Sequence, residues 1–326
     1  MSRVRIAEPA AIEDAARLLT LGRLVAFPTE TVYGLGGDAL STSACQAIFQ
    51  AKNRPADHPL IVHLPDAAQL DRWAVNIPEA AWKLAKAFWP GPLTLIVPKH
   101  PDVPNTVTGG QNAIGLRVPN HPVALALLSA FGSGIAAPSA NRFQHVSPTR
   151  ASHVLDDLGE RVELILDGGP CSVGLESTIV NLTGAQPQIL RPGAIGKEAL
   201  QAVIGRPIVD HAVCAGQELR VSGAMAIHYA PQTPCFLCAT SRLGKVLLDY
   251  GQAGLLTYSA SLPNHPVRHH IRLSGQPMAY GHELYQALRT LDKANVEAII
   301  IESPPEIKSW HAVNDRLRKA AKPYSK

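Results

Sequence analysis

Apolar residues recur at helical spacing over residues 10–21, and a short apolar run at 24–27 closes at Pro28, which predicts a helix followed by a strand. The alternation continues with a helix over 43–51, a strand over 60–64 and a helix over 79–88. That helix leads through Trp89-Pro-Gly-Pro92 into a strand over 93–97. Strands at 114–118 and 135–137 flank another helix. After Thr149 a helix runs to about residue 158, followed by a strand at 162–166 and the turn Asp167-Gly-Gly-Pro170. Residues 177–182 and 188–190 read as a strand pair, and 195–204 as a helix. Some strands are separated by helices and others follow one another directly. This predicts an α/β (mixed α+β) fold built on a twisted mixed sheet rather than a purely parallel one.

Residues 206–233 break the rhythm, with prolines at 207 and 231, scattered glycines and no sustained period. At 28 residues the stretch is too long for an ordinary connection and reads as a linker. Beyond it, strands at 235–239, 254–258 and 296–301 and helices at 276–291 and 312–321 predict a second, smaller α/β domain. The expected organisation is a domain at 1–205, a linker at 206–233 and a small domain at 234–326.

Composition narrows the class. The 326 residues are 46% hydrophobic and 17% charged, enough apolar material for true cores, which excludes disorder, collagen and coiled coil for the whole chain. Thirty Lys and Arg against 26 Asp and Glu give a net charge of +4, which permits an anionic ligand without the dense basic blocks of a chain that wraps nucleic acid. The first residues are charged throughout, so no secretory signal is expected. The charge-free stretch 118–141 is interrupted by Gly132, Gly134 and Pro138 and reads as buried helix, turn and strand, not a membrane span. Five scattered cysteines offer no disulfide framework and fit a reducing cytoplasm. Cys235 and Cys238 form the one close pair. Without a second pair or nearby histidines they read better as strand residues than as a metal or redox site.

Walker A, H-E-x-x-H and G-x-S-x-G motifs are absent from the sequence. Gly34-Leu-Gly36-Gly-Asp-Ala39 has the letters of a dinucleotide fingerprint, but six residues separate it from its strand, where a Rossmann turn follows directly. A turn-rich loop, and more specifically a substrate loop, is expected there. Lys52, Arg54 and His58 lie just past a helix C-terminus, where cations either cap carbonyls or bind phosphate. Arg117 and Arg191 sit at a strand end and on a loop, positions equally suited to surface arginines. Pro138-Ser-Ala-Asn141 follows an apolar strand, so its polar groups either satisfy a turn or bind a ligand at the strand end. Glu176-Ser-Thr178 is a strand start or a ligand site, and His63 and His228 are packed or functional. Taken singly, these features leave both readings open.

Their joint order does not. Pro28-Thr-Glu-Thr-Val-Tyr-Gly-Leu-Gly36, Lys52-Asn-Arg-Pro55, Pro59-Leu-Ile-Val-His63 and Trp89-Pro-Gly-Pro-Leu-Thr94 are followed by Arg117-Val-Pro119, Ala136-Ala-Pro-Ser-Ala-Asn141, Ser147-Pro-Thr149, Asp167-Gly-Gly169, Glu176-Ser-Thr178 and Arg191-Pro-Gly193. In this sequence of motifs the chain resembles the YrdC-type threonylcarbamoyl-AMP synthase family in its long two-domain form. The resemblance is dense over residues 8–205 and resumes at His228-Tyr-Ala-Pro231 and Asn314-Asp-Arg-Leu-Arg318.

The resemblance implies a twisted mixed-sheet domain with a concave positive surface and a small Rossmann-like C-terminal domain. It implies synthesis of L-threonylcarbamoyladenylate from L-threonine, bicarbonate and ATP, with release of pyrophosphate. The product would feed modification of the tRNA adenosine beside the anticodon through separate threonylcarbamoyl transferase proteins. Carried over by motif, Thr31, His63, Arg117, Ala137 and Ser177 would contact L-threonine. Lys52, Arg54, His58, Ala113, Ser139, Asn141, Ser147, Arg191 and Tyr229 would contact ATP, with Lys52 and Arg54 also catalytic. Mg2+ would arrive with ATP, and no protein ligands for it are named. Ser222-Gly-Ala-Met-Ala-Ile227 lacks a basic residue that some members carry before His228, a departure that bears on a linker cation at the phosphates and not on the activity. The linker bearing His228 and Tyr229 is expected to act as a lid. Two rivals remain: a non-catalytic RNA-binding module on the same surface, and carbamoyl transfer from carbamoyl phosphate. The second lacks the accompanying acylphosphatase-like or zinc-finger regions.

Overall fold

The computed structural model describes residues 3–210, 219–223, 225, 227–259 and 267–324. The chain divides into two compact units. The first comprises Met1–Phe143, Pro148–Ser172 and Glu176–Ala224, and the second Gln144–Ser147, Val173–Leu175 and Met225–Lys326.

The first unit holds strands β1 (Val4–Ile6), β2 (Val25–Phe27), β3 (Gly34–Asp38), β4 (Ile61–His63), β5 (Leu93–Pro98), β6 (Ala113–Arg117), β7 (Ile135–Ala136), β8 (Leu164–Asp167), β9 (Thr178–Asn181), β10 (Gln188–Arg191) and β11 (Val209–Asp210). Its helices are α1 (Pro9–Thr20), α2 (Thr42–Lys52), α3 (Leu70–Trp73), α4 (Glu79–Phe88), α5 (Asn105–Thr108), α6 (Pro122–Phe131), α7 (Ala151–Leu158) and α8 (Lys197–Ile204). The strands order as β1-β8-β2-β3-β7-β4-β6-β5-β9-β10-β11. Pairings β1·β8, β8·β2, β4·β6, β5·β9 and β10·β11 are parallel and the others antiparallel, the mixed sheet that the strand spacing predicted. One apolar core runs from Leu24, Tyr33 and Ile48 to Leu116 and Ile208, and a second joins Leu19 of α1 to Leu127 and Leu128 of α6.

Gly34–Asp38 is where the structure corrects the expectation of a turn-rich substrate loop. It is β3, paired antiparallel with β2 and β7 and buried over most of its length. The glycines there serve close packing. A Cβ on Gly36 would come within 2.8 Å of the Phe27 ring and 2.9 Å of Ile135. No side chain larger than hydrogen fits between those two neighbours without displacing one. Two stretches of the segment read as a linker also belong to the first unit. Val209–Asp210 pairs with β10, and residues 219–223 lie within it.

The second unit carries β12 (Cys235–Cys238), β13 (Gly254–Thr257), β14 (His269–Arg272), β15 (Ile299–Glu302) and β16 (Lys322–Pro323). These form an all-parallel sheet ordered β14-β13-β15-β12-β16. Helices α9 (Leu243–Asp249), α10 (Pro277–Asp292) and α11 (His311–Ala320) accompany it. Cys235 and Cys238 lie on β12 as buried free thiols, three residues apart and so on opposite faces of the strand. Among the described residues no helix is long and apolar enough to cross a membrane.

Candidate active site

Lys52 closes α2, a helix begun by Ser41, whose side chain accepts from the Ala44 amide, and ended by Asn53 in the left-handed region at φ 54°. Because the helix end is buried, so is the Lys52 side chain, at 1% exposure. Its ammonium donates to the carbonyls of Ser139 and Asn141, and the Lys52 carbonyl accepts from the Phe143 amide at 2.9 Å. Burial, and then the nearby Arg54 cation, push the ammonium well below its ordinary range. Lys52 therefore grips the loop after β7, the one that carries both predicted polar residues, Ser139 and Asn141.

Arg54 turns the other way. Its Nη2 donates to the Pro59 carbonyl at 3.0 Å and to Ser222 Oγ at 3.1 Å, and its guanidinium lies 5.8 Å from the Phe143 ring centre. His58 meets the same ring edge-on, and burial, with Arg54 next, lowers its pKa.

Arg191, at the end of β10, lies close by. Nε donates to the Ser177 carbonyl at 3.0 Å, Nη2 to Ser177 Oγ at 3.1 Å, and Nη1 to the Ser222 carbonyl at 3.0 Å. Ser177 Oγ also shares a 2.7 Å hydrogen bond with Thr94 Oγ1. Two arginines from separate elements thus converge on Ser222. Ala113, at the start of β6, lines a small adjoining cleft with Thr94, Ile179, Val221 and Ser222.

Toward the middle of the sheet, His63 and Arg117 are direct register partners on parallel strands β4 and β6. Arg117 Nε donates to the Gly91 carbonyl at 3.2 Å, and Nη2 forms a 2.7 Å ion pair with Glu30. Burial, and then the Arg117 cation, push the His63 imidazole down to about 3, so it is neutral at physiological pH. Thr31 sits in the loop between β2 and β3, its Oγ1 2.8 Å from Thr29 Oγ1, and Thr29 Oγ1 in turn donates to the Val32 carbonyl at 2.7 Å. Just past β7, the Ala137 amide donates to the Ile61 carbonyl at 2.9 Å, and a Cβ on Gly34 would come within 3.2 Å of the Ala137 methyl.

Twelve of the fourteen sequence-predicted site residues lie in the first unit. Ser147 and Tyr229 belong to the second. There Arg289 donates to the carbonyls of Val146 and Ser147. The Tyr229 ring stacks on Tyr285 at 5.8 Å with the Arg316 guanidinium 5.3 Å from its centre, and its φ of 60° is one that few non-glycine residues adopt.

Three residues at the site had no role in the sequence reading: Glu30, Thr94 and Ser222. Glu30 and Thr94 stood inside quoted motifs, but nothing in local spacing says that their side chains turn toward Arg117 and Ser177. Ser222 follows a stretch without periodicity, and only the folded chain brings it to Arg54.

A family description reading "Telomere recombination", for the family named after Sua5, YciO and YrdC, matches residues 17–193. One reading "Threonylcarbamoyl-AMP synthase, C-terminal domain" matches residues 195–322. A threonylcarbamoyl-AMP synthase of Bacillus subtilis (strain 168) is 44% identical over 325 residues, covering 95% of this chain and 92% of that protein. One of Pyrococcus abyssi (strain GE5 / Orsay) is 39% identical over 319 residues, covering 95% and 94%. Among solved structures, P. abyssi Sua5 complexed with L-threonine is 36% identical, covers 98% of both chains and superposes with a TM-score of 0.89.

Proposed function

The chain belongs to the Sua5, YciO and YrdC family, and in the two-domain form that ends in the threonylcarbamoyl-AMP synthase C-terminal domain; on that premise we propose that it is a nucleotidyltransferase making L-threonylcarbamoyladenylate. L-Threonine, bicarbonate and ATP are its substrates and pyrophosphate leaves. The observation that carries this reading is the convergence of Arg54 and Arg191 on Ser222, with β5 and β9 standing between Arg191 of β10 and the His63 and Arg117 pair on β4 and β6. A polyanion and an amino-acid carboxylate thus each have a fixed guanidinium.

The amine of L-threonine adds to carbon dioxide derived from bicarbonate. The resulting carbamate oxygen attacks the α-phosphorus of ATP in line. No covalent enzyme intermediate is required. Arg54 and Arg191 offset the charge that grows on the phosphates. Lys52, its ammonium already committed to the Ser139 and Asn141 carbonyls, serves by fixing the loop that offers those two residues to the nucleotide. Arg117 takes the L-threonine carboxylate, while Thr31, Ser177 and neutral His63 supply short polar contacts. Holding the two anions in reacting geometry is worth about 7–11 kcal/mol in well-oriented systems. Mg2+ comes as part of the nucleotide substrate. The adenylate, hydrolysed readily in water, passes to separate proteins that transfer the threonylcarbamoyl group to tRNA.

The test is pyrophosphate release from ATP with L-threonine and bicarbonate omitted in turn. Release needs both, and Arg54→Ala and Arg117→Ala each reduce it by about 100-fold, the scale of one lost transition-state donor. Release indifferent to L-threonine refutes the assignment.

A further inference from the structure

The loop between β2 and β3 turns one acidic side chain, Glu30, into the interior, where it is 4% exposed. Oε2 lies 2.7 Å from Arg117 Nη2, yet neither carboxylate oxygen receives an aligned hydrogen bond, so the contact is ionic rather than directed. A desolvated carboxylate in that condition is costly, and both of its oxygens keep unused acceptor capacity. On Arg117, Nε and Nη2 lie along one edge of the guanidinium, and that edge is taken by the Gly91 carbonyl and by Glu30. Nη1 has no partner among the described residues, which leaves the edge formed by Nη1 and Nη2 for a second, bidentate carboxylate.

Burial depresses His63 and His121 toward their neutral forms and raises the Cys171 thiol to about 12, with Glu30 acting on both His121 and Cys171. The full charges in contact at this corner are then Glu30 and Arg117. An α-amino acid presents its carboxylate and its ammonium one carbon apart. It therefore suits a cation and an anion held side by side.

We propose that Glu30 is a specificity-determining residue for the amino-acid substrate: it holds Arg117 in the empty site and receives the ammonium of L-threonine while Arg117 takes the carboxylate. The pair reads the substrate as a zwitterion. Carbamoylation removes two protons from the ammonium, one taken by the hydroxide that bicarbonate releases on yielding carbon dioxide and one passing to solvent, and the same Glu30 oxygens then accept the remaining N–H of the carbamate. This rests on the L-threonine reading of the site and adds to it the group that recognises the amine.

Calorimetric titration of the full chain with L-threonine, and with 3-hydroxybutyrate as the same skeleton without the amine, tests the inference. In Glu30→Gln the affinity for L-threonine falls at least tenfold, while that for 3-hydroxybutyrate stays within twofold of the unaltered protein or tightens. Glu30→Asp keeps the charge and recovers part of the L-threonine affinity. Should Glu30→Gln fail to fold, Glu30→Asp against the unaltered protein decides, since withdrawing the charge by one methylene weakens L-threonine and spares the deaminated ligand. Unchanged L-threonine affinity overturns the proposal. So does an equal loss for both ligands, which would leave Glu30 acting only through Arg117. If the unaltered protein binds no L-threonine, the functional reading fails first and takes this inference with it.

Discussion

His63 shows how a side chain's role is set by its neighbours rather than its type. The residue closes β4 opposite Arg117 and meets the Phe27 ring edge-on at 6.2 Å. Burial and the adjacent cation take its pKa from 6.5 to about 3 in the folded chain. Between those values the unfolded chain binds the proton and the folded chain does not, so folding stability rises with pH through the window and is lost on acidification below about 6.5. The slope contributed is at most about 1.4 kcal/mol per pH unit. Urea unfolding at pH 7, 5.5 and 4.5 should therefore show a shallower acid loss for His63→Gln than for the unaltered protein. Parallel curves would mean that the imidazole is protonated inside the fold. Lys52 follows the same logic with a different outcome. A cation past a helix end was legible as a cap or a phosphate group, and it became an anchor for two loop carbonyls because the loop after β7 encloses it.

At the scale of elements, long periodic segments were legible and glycine-rich ones were not. Helix α4 (Glu79–Phe88) coincides with its sequence pattern because an amphipathic face repeats over ten residues. Strand β3 has almost no side chains with which to show a pattern. Its strand state follows from the backbone pairing it makes between β2 and β7 and from the bulk of Phe27 and Ile135 across from Gly36. Gly36→Ala should accordingly destabilise the protein by about 1–3 kcal/mol, the usual cost of overpacking a filled core, as read by denaturant midpoint. A neutral result would show that Phe27 moves aside freely. Strand β14 escaped for a related reason. His269–Arg272 is mostly polar and half-exposed at the sheet edge, without the apolar run that marks its neighbours.

For the whole molecule, the net charge of +4 is small, and the arginines that define the site are buried and individually partnered rather than spread over a surface. Binding to a nucleic-acid backbone would weaken about 10³–10⁵-fold between 50 and 200 mM salt for six to ten phosphate contacts. Threonine-dependent pyrophosphate release should change by no more than about threefold over that interval, because charges enclosed in the fold are poorly screened. A steep fall would favour the RNA-binding alternative.

The alternation of helices and strands, the mixed character of the sheet, the change of rhythm at 206–233 and the ordered motifs that mark the family were all legible in the residues alone. All of these depend on residues close together in the chain or on their order along it. Which side chains meet was settled by the fold. It set Glu30 against Arg117, Ser222 between Arg54 and Arg191, and the Lys52 ammonium on the loop after β7. Those partners are 87 to 168 residues apart, or 31 for Arg191 and Ser222. Only the pairing of distant strands and the loops that leave them bring these groups within reach of one another, and the low dielectric of the interior then fixes their charge and orientation.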